Sequence, residues 1–286
     1  MRSKTDLRWL ELDLTRANIG ALIVDRLQEE QDDLQMQFSQ AQNKIGYCYI
    51  DNVLPVELAQ KLFDLFPDSS RMKFNSTLRE RKYIAAQMDQ YDKLLEEALF
   101  AFQEDSVIKQ VSRICNIPDL QGDPYLYAGG LSLMNRDCFL NPHLDNCHDK
   151  DRQRWRALNL LFYVTPNWNE ANGGHLEVWP DGLGKEPQVI HSKFNRLAIM
   201  ATHDRSWHSV NPVTVEGRRC CISNYYFTPT PSKDQKGFHV TRFRARPEQK
   251  LRDICLRMDA TIRTGVRLLK KDGLRKLTHL YRQPDK

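Results

Sequence analysis

The sequence lacks several features that would place it in a specialised class of protein. No run of residues approaches the roughly 18 consecutive apolar residues that span a bilayer, and no internal repeat or low-complexity segment is visible. The first residues, MRSKTDLRWLELDLTR, contain no apolar core of a secretory signal. Hydrophobic residues at 41% and charged residues at 28% are ordinary for a globular protein. We therefore expect a soluble, cytoplasmic protein built around one main domain.

Cysteine is present, but not in a pattern that builds a site. The seven cysteines are an odd number and include no Cys-x-x-Cys motif. That motif is the usual spacing of zinc sites and of redox-active dithiols. Without a secretory signal, structural disulfides are not expected either. We therefore expect reduced thiols and give a zinc site little weight.

The net charge of +5 conceals a strongly basic tail. Residues 233–286 contain 16 Lys and Arg against 6 Asp and Glu, a balance of +10, which leaves −5 for residues 1–232. Such a tail can contact nucleic acid, an anionic membrane or an anionic substrate. The sequence favours another interpretation, an amphipathic helix packed on the core with its charged face in water. Its apolar residues recur at helical spacing: Leu251, Ile254, Met258 and Ile262.

Local patterns divide the chain into three parts, which we take as residues 1–119, 120–245 and 246–286. The first part is predicted to be helical and to buttress the core, and the last to be a basic helical extension. Predicted helices cover 16–44, as one long or two shorter helices, Pro55 to about Leu65, 89–104 and 106–115.

The middle part has the residue pattern of short strands rather than of helices. Between residues 125 and 230, short runs rich in Leu, Ile, Val, Tyr and Phe alternate with turn signals such as Asn172-Gly173-Gly174. Many short strands separated by such turns are typical of a β-sandwich or barrel. The fold class is therefore α+β with a mainly β core.

A candidate metal site begins with the stretch NPHLDNCHD at residues 141–149. On a strand, residues two apart project to the same face, so His143 and Asp145 can reach one cation. Chance alone predicts roughly 0.7 His-x-Asp triplets in a chain of this composition, so the motif needs support. A third candidate ligand is His208, in RSWHSVNPVTVEGRR. Two histidines and a carboxylate form the facial triad of non-haem Fe(II) oxygenases.

The region between residues 143 and 227 resembles the catalytic core of the prolyl 4-hydroxylase-like 2-oxoglutarate/Fe(II) dioxygenases, and is similar to the prolyl hydroxylases that modify hypoxia-inducible factor. The matching segments are HLDN (143–146), LLFYVTPNW (160–168), NGGHLEVWPDG (172–182), KFNRLAIM (193–200), WHSVNPV (207–213) and RRCCISNYYF (218–227). The resemblance implies a double-stranded β-helix, the jelly roll also found in cupins. It also implies Fe(II) held by His143, Asp145 and His208, with 2-oxoglutarate and O2 as cosubstrates, and it allows ascorbate as an additional cofactor.

The same resemblance implies a cation for the distal carboxylate of 2-oxoglutarate, and Arg218 and Arg219 compete for this role. Counting back from the end of the strand selects Arg219, whereas counting forward from His208 favours Arg218. Only one of two neighbouring strand residues can point inward, and we expect it to be Arg219. Tyr163 matches a family tyrosine that donates its hydroxyl to this carboxylate. Asn159 shares a face with Tyr163 and is expected to line the pocket.

The carboxylate at Asp145 favours hydroxylation, because related halogenases have Gly or Ala at this position. The expected activity is hydroxylation of a peptidyl, amino-acid or small-metabolite substrate. Two alternatives stay open. A metal-dependent isomerase or hydrolase on a cupin-like barrel would keep the triad but not the buried arginine, and a non-catalytic binding module would use the basic tail instead.

Overall fold

The computed structural model describes residues 13–235, 237–269 and 280–282. Within these residues the chain forms one large antiparallel sheet flanked by helices. The helices are α1 (Arg16–Glu29), α2 (Gln31–Gln42), α3 (Val56–Asp64), α4 (Lys93–Ala101), α5 (Asp105–Cys115) and α6 (Lys250–Leu269). The strands are β1 (Tyr47–Asp51), β2 (Lys73–Ser76), β3 (Glu80–Ala85), β4 (Gly130–Met134), β5 (Phe139–Leu144), β6 (Trp155–Tyr163), β7 (Leu176–Val178), β8 (Gln188–Ile190), β9 (Arg196–Ala201), β10 (His208–Val210), β11 (Arg219–Thr228) and β12 (Arg242–Phe243).

The sheet has the winding of a double-stranded β-helix. Its strand order is β1-β9-β6-β11-β4-β3-β5-β10-β7-β8, with β12 paired to β5 and β2 paired to β3. Strand β3 is hydrogen-bonded to both β4 and β5, so it joins the larger half of the sheet to the smaller half. The predicted β-helix is therefore confirmed, and its interior is the place where inward-facing side chains meet.

The main hydrophobic core lies between the outer face of the larger half-sheet and the N-terminal helices. In α1, Ile19, Ile23 and Leu27 recur every four residues and are fully buried, which places one face of the helix in this core. From the sheet, Leu158 and Phe162 on β6 point toward the helices. The alternate residues of β6 are thereby left to face the interior of the β-helix.

The predicted helices are found, but the N-terminal region is not purely helical. The 16–44 pattern forms two helices, α1 and α2, and Pro55 is the N-cap of α3, in line with the predictions. However, residues 47–85 also supply β1, β2 and β3 to the central sheet. The prediction of a helical region that buttresses the core was therefore incomplete, because β1 hydrogen-bonds to β9 and β3 to β4 and β5.

The C-terminal extension does form a helix, α6, but its orientation differs from the prediction. Its apolar stripe faces solvent: Leu251 is 81% and Ile262 is 64% exposed. The side of α6 that contacts the rest of the protein is mainly polar, with Leu256 as its buried apolar residue. Packing of the stripe on the barrel was therefore a wrong prediction. The remainder of the predicted basic extension, at 270–279 and 283–286, lies outside the described residues.

Candidate active site

The three candidate metal ligands converge inside the β-helix. His143 lies on β5, Asp145 follows directly after that strand, and His208 opens β10, where it is the register partner of His143. The Nε2 atom of His143 is 3.6 Å from Asp145 Oδ1, and that of His208 is 3.7 Å from Asp145 Oδ2. One ligand atom from each residue lies within 4.8 Å of the others. Neighbouring antiparallel strands thus bring together residues 65 positions apart.

Backbone carbonyls orient both imidazole rings. The Nδ1 atom of His143 is 2.9 Å from the carbonyl oxygen of Asn141, and Nδ1 of His208 is 2.9 Å from that of Ser206. A carbonyl can only accept, so each Nδ1 carries the proton and each Nε2 lone pair points into the site. This is the arrangement usual for metal-binding histidines.

Burial sets the charge state of the cluster. Burial, reinforced by repulsion from His208, lowers the pKa of His143 to about 3, so this ring is neutral at physiological pH. Burial acts to raise the pKa of Asp145, but electrostatic interactions with His208 and Arg156 outweigh it and hold that pKa below its usual value. The site therefore presents a neutral imidazole lone pair and a carboxylate, both suited to a divalent cation.

Arg156 is a member of the site that the sequence did not reveal. Its side chain is only 1% exposed, and its Nη1 lies 3.8 Å from Asp145 Oδ1. Its guanidinium lies 3.7 Å from the centre of the Tyr225 ring, and Nη2 donates to the carbonyl of Tyr127 at 3.1 Å. Stacking on an aromatic ring lets an arginine stay charged in a buried place. Arg156 thus adds a fixed positive charge beside the carboxylate.

A cavity of about 300 Å³ opens onto the cluster. Phe243 on β12 forms part of its wall and stacks on His143, with the ring centres 5.0 Å apart and an angle of 16° between the planes. The hairpin of β2 and β3 lines another part through Asn75, Glu80 and Lys82. Phe243 lies within the predicted 120–245 domain, whereas the hairpin lies outside it, so the preceding part of the chain completes the cavity.

The structure separates the two competing arginines. Arg219 is 3% exposed, lines the cavity, and lies 4.7 Å from the centre of the Tyr163 ring. Arg218 points to the opposite face, where Nη1 donates to the carbonyl of Phe66 at 3.0 Å and Nη2 to that of Phe63 at 3.3 Å. Of the two, Arg219 is therefore the one placed to meet a ligand inside the β-helix.

Several buried polar atoms in this region have no hydrogen-bond partner within residues 13–235, 237–269 and 280–282. Among them are Asp145 Oδ2, Arg156 Nε, Asn159 Oδ1, Tyr163 Oη and Arg219 Nη2. Leaving a buried polar group unpaired costs about 1–3 kcal/mol, so a cluster of them calls for ligands. A divalent cation satisfies the carboxylate, and an anionic keto acid satisfies the arginine and the tyrosine hydroxyl. The residues present therefore fit Fe(II) and 2-oxoglutarate.

Asn159 lines the cavity, as its parity with Tyr163 predicted. Burial raises the pKa of Tyr163 to about 12, so its hydroxyl stays protonated and can donate.

Gly174 packs against Arg219: a Cβ added there would lie 3.4 Å from Arg219 Cγ and 3.0 Å from Val213 Cγ2, at a φ of +70°. Glycine at this position thus leaves room for the extended arginine side chain.

The geometry points to the class of Fe(II)- and 2-oxoglutarate-dependent oxygenases, since a buried facial triad inside a β-helix is suited to that chemistry. Comparison with protein families agrees. Residues 129–227 match the model of the 2OG-Fe(II) oxygenase superfamily. The resemblance predicted from the motifs is thus confirmed.

Individual relatives are distant. The chain is 27% identical over 85 residues to prolyl 3-hydroxylase OGFOD1 of Xenopus laevis, a match that covers 28% of the chain and 16% of that protein. Among solved structures, a prolyl-4-hydroxylase of Pseudomonas putida superposes with a TM-score of 0.52 at 15% identity, covering 68% of the chain and 98% of the other. A Trichoplax adhaerens prolyl hydroxylase, solved with a hypoxia-inducible factor peptide, gives 0.50 at 20% identity, covering 70% and 91%. These likenesses confirm the fold.

Proposed function

We propose that the chain is an Fe(II)- and 2-oxoglutarate-dependent hydroxylase. The observation that carries this proposal is the pair of unpartnered buried atoms on Asp145 and Arg219, which both line the cavity, with the unpartnered hydroxyl of Tyr163 next to Arg219. When bound, the iron supplies the oxidising chemistry by which O2 converts a C–H bond to C–OH while 2-oxoglutarate is converted to succinate and CO2. The rest of the work falls to the residues of the chain.

Each residue has a defined task in this proposal. His143, Asp145 and His208 hold the metal, with both rings fixed by backbone carbonyls. Arg219 forms charge-assisted hydrogen bonds to the distal carboxylate, and Tyr163 donates its hydroxyl to the same group. An arginine suits this task better than a lysine, because its planar fork binds a carboxylate through two parallel bonds.

The substrate enters beside the metal through an opening with a charged rim. The residues that line it include Arg79, Glu80 and Lys82 from the β2–β3 hairpin and Arg263 from α6. Such a rim suits a polar substrate, and the prolyl hydroxylases among the relatives support a peptidyl or amino-acid side chain, with a small polar metabolite as the other choice. We take residues 120–245 together with β1, β2 and β3 as the catalytic unit. A cytoplasmic location remains our expectation from the sequence.

The experiment that tests this function requires no substrate. Purified protein with Fe(II) and 2-oxoglutarate, kept without oxygen, is examined for the visible charge-transfer band of the chelated keto acid. We expect the band in the wild type, its loss in His143→Ala and a weaker 2-oxoglutarate titration in Arg219→Ala. Arg218→Ala is the matched control, because its guanidinium lies on the outer face, and it should titrate like the wild type.

The same experiment separates the competing functions. A cupin-like isomerase or hydrolase needs the triad but has no use for the buried arginine, so metal binding without a band would favour it. A non-catalytic binding module needs neither the metal triad nor the buried arginine. Absence of the band in fully metallated wild type would refute the proposed hydroxylase.

A further inference from the structure

An apolar stripe of α6 is exposed between Leu251 and Ile262. Leu251, Ile254, Met258 and Ile262 are 81%, 56%, 61% and 64% exposed. Spacings of three and four residues place them on one face. Large apolar side chains scattered singly are normal on a surface, but a contiguous stripe rimmed by polar residues marks an interaction site.

This exposure is not the result of a detached helix, because the opposite face is anchored at several points. Leu256 is buried against Phe243 and Ala245. Asp253 accepts from Arg244 at 2.6 and 2.9 Å. Toward the cavity, the Nε atom of Arg79 donates to Asp259 at 2.9 Å in a two-point contact. The polar face of α6 is therefore the face that holds the helix, and the apolar face is left outward.

The acidic residues of α6 face the body of the protein, and basic residues lie on its exposed side. Both acidic residues of α6, Asp253 and Asp259, are paired with arginines from the body of the protein. Lys250 and Arg257 are exposed beside the stripe, and Arg257 also pairs with Asp253 at 2.9 Å. The helix as a whole contains five basic and two acidic residues, a net charge of +3. Its outer surface thus combines an apolar stripe with basic flanks.

We propose that α6 docks on an anionic phospholipid bilayer, lying in the plane of the interface with its apolar stripe among the lipids. Apolar residues on one side of a helix with Lys and Arg at its flanks are the features of an interfacial helix, and anionic headgroups complement the basic flanks. The 20 residues of α6 extend about 30 Å. Among the described residues no helix combines the length and apolarity needed to cross a bilayer, so attachment through α6 would be peripheral.

Charge favours lipid over a second copy of the chain as the occupant of the stripe. Pairing two α6 helices would oppose a net +3 with another +3, because both acidic residues are already engaged with the body. Like charges held close together oppose association. A nucleic acid would meet the basic residues but would leave the four apolar side chains in water.

Cys255 offers a direct probe of this docking. It lies next to Ile254, and it is the one exposed cysteine of the seven, all of which are described. A polarity-sensitive maleimide dye therefore labels it selectively in the full chain. With vesicles of phosphatidylcholine mixed with phosphatidylglycerol, we expect co-sedimentation and a blue shift of the dye. Both should weaken as salt is added, and both should be absent with phosphatidylcholine alone.

Variants then separate the stripe from general surface apolarity. The double substitution Ile254→Ser with Met258→Ser alters exposed positions and should reduce vesicle partitioning about tenfold or more, given the usual gain from burying such side chains. The control Val56→Ser with Val189→Ser removes two exposed apolar side chains elsewhere and should bind like the wild type. Lys250→Gln with Arg257→Gln should lose the preference for anionic vesicles.

The proposal has clear contrary outcomes. Wild type that stays in the supernatant with anionic vesicles at low salt overturns it, and so does a stripe variant that sediments as wild type does. A concentration-dependent dimer in sedimentation velocity that the stripe variant loses, without vesicle binding, assigns the stripe to a second copy. Nucleic-acid binding insensitive to the stripe variant, again without vesicle binding, overturns it as well. Keto-acid binding in the same preparations reports that each variant is folded.

Discussion

Replacing Tyr163 by phenylalanine should move two properties in opposite directions. The Tyr163 hydroxyl is buried and, apart from a weak interaction with Ser192, makes no hydrogen bond within the described residues, so the ligand-free protein bears most of the cost of desolvating it. Removing that oxygen should raise the free energy of unfolding by about 1 kcal/mol. The hydroxyl is also the proposed donor to the distal carboxylate of 2-oxoglutarate. Because a hydrogen bond to a charged group contributes about 1.5 kcal/mol or more, the affinity should fall about tenfold.

Tyr226→Phe is the matched control, because this tyrosine lies on the adjacent strand β11, is equally buried, and donates its hydroxyl to the carbonyl of Phe102. Here the free energy of unfolding should fall by about 1–2 kcal/mol, with no effect on 2-oxoglutarate. Urea unfolding of metal-free protein and anaerobic titration of the charge-transfer band measure the two quantities. A Tyr163→Phe protein that is less stable and binds the keto acid normally would refute the assignment of this hydroxyl.

Three further outcomes are expected. Glu177→Gln should lower the free energy of unfolding by about 3 kcal/mol, because Arg246 loses its buried charged partner at 2.6 Å. The control is Asp234→Asn in the exposed pair with Arg205, which should lower it by at most about 1 kcal/mol. Urea unfolding measures both. Gly174→Ala should weaken 2-oxoglutarate binding in the band titration by displacing Arg219, whereas Gly182→Ala, at a similar positive φ with nothing within 4 Å, should leave it unchanged. Removing the metal with a chelator should abolish the band in every variant, and restoring Fe(II) should recover it unless His143 or His208 is substituted.

The sequence predicted the chemistry of the site better than its walls. His143, Asp145 and His208 could be found because metal binding demands particular residue types at particular spacings. Strand parity allows only one of Arg218 and Arg219 to face inward, and counting back from the end of the strand that resembles the family's selected Arg219. Ligand spacing and strand parity can be applied without knowledge of the tertiary structure.

Arg156 could not be found by the same rule. Counting from Asn159 by parity places it on the outer face, but the register between β6 and β11 shifts between Tyr226 and Phe227. A bulge of this kind turns the following residues to the other face. The sequence of β6 contains no residue pattern that predicts this bulge. One irregular residue therefore hid a buried arginine beside Asp145.

The β2–β3 hairpin was missed for a different reason. Its sequence, KFNSTLRERKYIA, is rich in Lys, Arg and Glu, which are uncommon in strands. These residues are tolerated because much of the hairpin is exposed and part of it lines the cavity. In α6 the helical period was read correctly, but periodicity shows only that a helix has two faces. Contacts such as that of Arg79 with Asp259 decide which face is buried.

The contact between Arg79 and Asp259 is a direct physical connection between the cavity and α6. Arg79 lines the cavity from the β2–β3 hairpin, and its guanidinium binds Asp259 on the helix at two points. An event at α6 that favours or breaks this contact changes the free energy of the cavity wall. Reciprocity then requires a substrate that prefers one state of the wall to change the affinity of α6 for its own ligand by the same factor. In that case, binding of a ligand to α6 would report on binding of a substrate in the cavity, and the reverse.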